Sequence, residues 1–321
     1  MDACKFHGLL NPMTSATHSE VFATWFLIGL LVSPTALSAP KPDDDSSNRY
    51  AIWPGKAPGE RTLETGTRQP FRPGEHPPVL RIEGITSPSL QAFHAPHPRR
   101  QAGILILPGG GFGKVVTNKE GSEAAHWLNR LGISAFVLSY RTTSPDEPRT
   151  WFRPLQDSQR ALRYVRHHAV RWGLDPARIG ILGFSAGGQV AAIHLANTFP
   201  SSYELLDDID TLSHYPDFAL LIYPWNTLNA QGTALKPELT PRQTAPPTFL
   251  VHTDDDRSSS LGTLNLYSAL KRLGAPVELH VYENGGHGYG MRAVSRSNIG
   301  SWPDRAADWL LLRDLATPPS N

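Results

Sequence analysis

Cysteine is all but missing from this 321-residue chain, where Cys4 stands alone. One thiol excludes an intramolecular disulfide and any cysteine-built metal site. Net charge is nearly absent too. With 30 basic and 29 acidic residues the formal charge is +1, and loss of Asp2, Lys5 and Glu20 with residues 1–39 brings it near +2. Neither value fits a nucleic-acid partner or strong attraction to acidic polymers. The apolar run Val21–Val32 is too short for a membrane span, which needs about 20 residues. Small residues follow it at Ala36, Ser38 and Ala39. Residues 1–39 therefore read as a cleaved secretory signal, although only Lys5 supplies a basic charge upstream. The expected location is secreted or periplasmic, with no stable membrane insertion of the mature chain. An uncleaved N-terminal anchor is the alternative.

No internal repeat and no second domain are visible. Residues 40–78 are rich in Pro, Gly and Asp and read as an irregular extension. Across 79–316 short apolar runs alternate with helical stretches, and 317–321 reads as a disordered tail. Strands are expected at Ile104–Leu107, Ile133–Leu138, Ile179–Phe184, Phe218–Tyr223, Thr248–His252 and Val277–Val281. Helices are expected at Gly121–Leu131, after Phe184, at Leu261–Leu273 and at Arg305–Leu315. Another helix has Leu155, Leu162, Val165, Ala169 and Trp172 on one face. Its Arg160, Arg163, Arg166 and Arg171 are read as a solvated face. The alternation predicts an α/β fold with a mostly parallel sheet covered on both faces. Pro224–Pro247 has little room for a large lid, so an open site is expected.

The densest chemical signal is Gly183-Phe184-Ser185-Ala186-Gly187, with an apolar strand before it and a small-residue helix after it. Gly-x-Ser-x-Gly in that setting is the nucleophile elbow of an α/β-hydrolase. A solvated serine in a glycine-rich turn is the bland alternative. A serine hydroxyl needs a base within hydrogen-bond reach and a carboxylate to orient that base. In this fold the acid and then the histidine follow the serine in the chain. His287, inside Asn284-Gly285-Gly286-His287-Gly288-Tyr289-Gly290, follows a late strand and meets that order. His167 and His168 fall in a helix and read as surface residues, and His252 as a strand end. The acid belongs after Thr248–His252, where Asp254, Asp255 and Asp256 are adjacent. Asp256 is preferred and Asp255 is the alternative.

Acyl transfer also needs backbone donors for a developing oxyanion. Ala186 follows the nucleophile, and Pro108-Gly109-Gly110-Gly111-Phe112-Gly113 follows an early strand. Gly110, Gly111 and Ala186 are the expected oxyanion-hole residues. No Gly-Lys-Ser/Thr follows that glycine run, so a nucleotide-binding loop is a poor reading.

These residues make the chain similar to the acetyl xylan esterase and feruloyl-esterase-like branch of the α/β-hydrolases, a family of secreted bacterial carbohydrate esterases. The shared stretches are Trp53–Gly59, Pro108–Phe112, Glu120-Gly121, Pro154–Asp157, Gly180–Gly188, Ile222–Pro224 and Gly285–Gly290. The resemblance implies removal of acetyl or related acyl groups, with acylated xylan or an oligosaccharide as the substrate partner. It gives Ser185, Asp256 and His287 the triad roles, and it implies no metal and no organic cofactor. Lipase-type relatives carry His where this chain has Pro108, which removes a loop-anchoring side chain but not the backbone donors. Phe112 and Trp225 are expected to wall the substrate pocket, against plain packing. Two other readings stay open: a prolyl-oligopeptidase-type peptidase, and a non-catalytic glycan-binding protein on a hydrolase scaffold.

Overall fold

The computed structural model describes residues 48–318 other than 97, 145, 200 and 242–244. The chain divides into two units, Met1–Asp44 and Asp45–Asn321. The expected signal segment, 1–39, lies outside the described residues, as do positions 319–321 of the expected tail.

The strands are β1 (Arg49–Ala51), β2 (Thr65–Arg68), β3 (Arg81–Ile85), β4 (Ser89–Phe93), β5 (Gly103–Leu107), β6 (Val115–Val116), β7 (Ser134–Ser139), β8 (Ile179–Phe184), β9 (Ala219–Ile222), β10 (Thr248–Thr253) and β11 (Val277–Tyr282). The α-helices are α1 (Glu123–Arg130), α2 (Phe152–His168), α3 (Ser185–Ala196), α4 (Ser260–Arg272) and α5 (Trp302–Leu312). Eight strands form one sheet in the order β1-β4-β7-β5-β8-β9-β10-β11. From β7 to β11 the neighbours run parallel, while β1 and β4 add an antiparallel edge. Strands β2, β3 and β6 make a small second sheet.

Leu105 and Leu107 point to one face and Ile104 and Ile106 to the other, as the two-residue period of a strand requires. The first face packs against α2, α3 and α4, the second against α1 and α5. A sheet buried on both sides explains why these strands read as continuous apolar runs. The chain steps from β5 to β7 on one side, then returns through α2 to β8 on the other. That reversal opens a crevice at the carboxyl ends of β5 and β8, where open α/β sheets bind ligands. The glycine loop leaves β5 there, and Ser185 leaves β8.

Two expectations are corrected. Residues 40–78 are not wholly irregular: β1 and β2 lie within them, and Ile52, Trp53 and Ala57 are buried in the core. Strands of three or four residues among Pro and Gly show no period in sequence, and their pairing comes from β4 and β3. Nor are the α2 arginines all solvated. Arg160 and Arg163 are buried, Arg166 donates to Pro176 O, Ser213 O, Tyr215 O and Asp217, and only Arg171, just beyond the end of α2, is exposed as expected. Arg160 donates to Ile52 O (2.8 Å) and pairs with Asp207 (2.6 Å) and Asp210 (2.9 Å). The N-terminal stretch and the loop after α3 cover that helix face, which periodicity alone does not reveal. Helix boundaries move by a few residues: a π turn, Asn118–Ser122, precedes α1, and α5 begins at Trp302.

Candidate active site

Ser185 sits between β8 and α3 at φ +52°, a left-handed conformation that costs a non-glycine residue about 1–2 kcal/mol. The surrounding packing holds it there. Gly187 lies so close to the end of β5 that a Cβ would run into the carbonyl oxygen of Leu107. The turn therefore accepts only glycine at that point.

Ser185 Oγ lies 2.7 Å from His287 Nε2, and His287 Nδ1 lies 2.7 Å from Asp256 Oδ2. Three residues far apart in the chain thus form one hydrogen-bonded line. A carboxylate only accepts, so Nδ1 carries the hydrogen and Nε2 is left to take the serine proton. Asp256 is the carboxylate that meets His287, and Asp255 is not. Asp255 instead accepts from the amides of Gly286 (2.8 Å) and Gly285 (3.2 Å), bracing the histidine loop from outside.

Burial pushes the Asp256 pKa up, but hydrogen bonds from His252 and His287 and from the Ser258 amide outweigh it and hold the pKa at about 2. The Ser258 amide donates at 2.7 Å. His252, expected only to end a strand, stands beside the acid: its Nε2 is 3.2 Å from Asp256 Oδ2 and 2.6 Å from Ser258 O. A carbonyl cannot donate, so Nε2 bears the hydrogen, and Nδ1 takes the Thr263 hydroxyl at 2.7 Å.

The glycine loop after β5 has a support that the sequence reading missed. Buried Glu120 accepts from the Gly109 amide at 2.8 Å and from the Tyr223 hydroxyl at 2.9 Å. The Gly109 donor is therefore occupied and is not free for an oxyanion. Gly110 adopts φ +137°, with the Lys114 carbonyl where a Cβ would go. Tyr140 donates to Pro108 O at 2.6 Å. That bond anchors the start of the glycine loop. Tyr223 also accepts from the Gly290 amide at 2.8 Å, so Glu120 and Tyr223 tie the glycine loop to the histidine loop. Burial, with Glu120 nearby, pushes the Tyr223 pKa well up, so it remains a donor. The sequence signal for Glu120 was its place in the shared Glu120-Gly121 pair. Its role depends on partners 11 and 103 positions away.

The two expected pocket residues part company. Phe112 is only 5% exposed and packs in the core, so its ring does not wall an open pocket. Trp225 is half-buried with its ring centroid 5.0 Å from that of His287, and its amide donates to Ser185 O at 3.0 Å. A cleft of about 180 Å³ adjoins Trp225. A larger one of about 900 Å³ lies along β11 and contains none of the three aligned residues.

Comparison with known proteins agrees with this fold. A solved acetyl ester-xyloside bifunctional hydrolase from Caldicellulosiruptor lactoaceticus is 31% identical, with TM-score 0.62, over 72% of this chain and 89% of that one. The chain belongs to the carbohydrate-esterase-like α/β-hydrolases. Consistent with that family, residues 95–213 match the BD-FAE family model. An acetylxylan esterase of Xylanibacter ruminicola is 31% identical over 275 residues, covering 76% of this chain and 51% of that protein. Endo-1,4-beta-xylanase B of Butyrivibrio fibrisolvens is 28% identical over 58% of this chain and 32% of that protein. The chain thus spans about half or less of the length of these two relatives. An esterase 2 structure from Thermogutta terrifontis, 22% identical with TM-score 0.61 over 74% of this chain and 93% of that one, shows the shared fold.

Proposed function

We propose that this α/β-hydrolase is a serine carboxylesterase that removes acetyl or related acyl groups from plant polysaccharide or oligosaccharide esters. The observation that carries the reading is the line from Ser185 through His287 to Asp256. His287 Nε2 takes the Ser185 proton as Oγ attacks the ester carbonyl. The amides of Gly110, Gly111 and Ala186 receive the oxyanion. The tetrahedral species collapses, and the sugar hydroxyl leaves with the proton from His287. Water, deprotonated by the same nitrogen, then cleaves the acyl-enzyme and releases the acid. Asp256 holds the ring tautomer and stabilises the imidazolium. The carbohydrate half rests on relatives named for acetyl esters of xylose-containing substrates and on the half-buried tryptophan beside His287.

Aryl acetate turnover tests the chemistry. Ser185→Ala is expected to lose at least about 10⁴-fold in kcat and to lose covalent labelling by a fluorophosphonate. Equal rates for the two proteins would refute the assignment. Acids released from acetylated and feruloylated xylo-oligosaccharides, read by mass spectrometry, test the substrate class. Export through residues 1–39 is part of the same reading, and N-terminal sequencing of the product tests it.

A further inference from the structure

The cleft beside Trp225 carries one formal charge. Trp225, Asn226, Thr227, Asn229, Arg257 and Ser258 line it together with Leu228 and Ser259, and no carboxylate is among them. Arg257 is exposed, and its guanidinium carbon lies 5.2 Å from the Trp225 ring centroid. Stacking on an aromatic face leaves the in-plane N–H donors of an arginine free. The three carboxylates that precede it have hydrogen-bond partners elsewhere: Asp255 on the Gly286 amide, Asp256 on His287, and Asp254 on Ser260 Oγ at 3.3 Å. Among the described residues, Arg257 forms no ion pair.

The cleft is also firmly joined to the reacting groups. Its floor residue Ser258 accepts from the Asn226 amide at 3.0 Å, while its own amide donates to Asp256 at 2.7 Å. The Trp225 ring touches both groups, with Arg257 over it and the His287 ring tilted 66° to it. The two ring distances together place the guanidinium within about 10 Å of the imidazole, the span of a linked pair of pyranose rings. The wall offers an aromatic platform and exposed Asn226 for hydroxyl groups.

Resting on the carbohydrate-ester reading above, we infer that this cleft is a subsite for an acidic sugar, and that Arg257 selects esters whose sugar portion bears a carboxylate. The planar guanidinium fork matches a carboxylate with two parallel hydrogen bonds. Trp225 both orients that fork and supports the sugar ring. The attraction between the guanidinium and a substrate carboxylate at this exposed position weakens as salt rises.

The test compares kcat/KM for acetylated xylo-oligosaccharides with and without a uronic acid branch, using the full chain. The wild type is expected to favour the acidic ester about fivefold at low salt, the range of an exposed charge pair, and less at high salt. In Arg257→Gln the ratio is expected to fall to about one, while Arg257→Lys keeps part of it. A ratio near one in the wild type, or the same ratio in Arg257→Gln, overturns the inference. A third substrate, the hemisuccinate ester of the neutral oligosaccharide, locates the charge. If Arg257 favours that ester and not the uronate, the carboxylate belongs to the acyl group and the sugar subsite is wrong. If neither oligosaccharide is cleaved while aryl acetate is, the carbohydrate reading fails and takes this inference with it. Cleavage of both at equal efficiency sinks the inference alone.

Discussion

Every residue from Ile179 to Ala196 around Ser185 is buried, whereas the histidine loop from Glu283 to Gly288 is exposed or half-buried. Ser185 is placed by steric contact between a strand, a turn and a helix adjacent in the chain. His287 is placed by hydrogen bonds from elsewhere: Asp255 on Gly285 and Gly286, Thr253 Oγ1 on Gly286 O (2.7 Å), and Tyr223 and Trp302 on Gly290. One half of the relay is thus locked by local shape. The other is suspended from a network whose members lie far apart in the chain. The steric half has no tolerance for added atoms. In the suspended half the load is shared, so single losses are expected to be graded.

Gly187→Ala strikes the steric half. Its added methyl meets the backbone of β5, and the expected cost is about 3 kcal/mol or more with activity lost. Denaturant melts and aryl acetate turnover read both. A variant of wild-type stability and rate would remove the contrast between the two halves. Glu120→Gln comes next. It keeps the shape but turns an NH2 donor towards either the Tyr223 hydroxyl or the Gly109 amide, each of which needs an acceptor there. We expect kcat to fall about 10- to 100-fold with KM little changed, because the groups it supports act on the transition state. A change confined to KM would assign Glu120 to substrate binding instead. Asp255→Asn removes charge from one brace of an exposed loop, and about a two- to fivefold loss of kcat/KM is expected. A loss matching that of Asp256→Asn, expected at about 10⁴-fold, would mean that the outer brace is as decisive as the triad acid.

The smallest effect is on stability against pH. The folded pKa of Asp256, about 2, lies below its ordinary value of 3.8. Its carboxylate therefore contributes stability in full above 3.8, and that contribution fades as pH falls from 3.8 towards 2. The stability gap between wild type and Asp256→Asn should shrink across that window. A gap that widens with acid would reverse the sign of the argument.

Much of this was legible in the residues themselves. The glycines around Ser185 and the late Gly-Gly-His-Gly run announced their positions, because a tight turn and a swinging loop demand small residues. The choice between Asp255 and Asp256 was legible only as a preference, since adjacent carboxylates have the same chemistry until the backbone turns one inward and the other outward. Phe112 and Trp225 looked alike in sequence, yet the left-handed backbone of Phe112, at φ +65°, accompanies a ring buried in the core. Arg160 looked like surface charge because helical periodicity does not show that a preceding segment and a later loop will cover that face.

Local sterics and the two-residue and helical periods of its apolar residues determined the parallel sheet, the elbow and the order of serine, acid and base. These are short-range properties, set by neighbours within a few positions. Only the tertiary structure decided which aspartate meets His287, that Glu120 and Tyr223 tie two loops together, and that Arg257 lies over Trp225. Hydrogen bonds and ion pairs form between whatever groups the fold brings within about 3 Å, and such proximity across a hundred residues leaves no trace in local spacing.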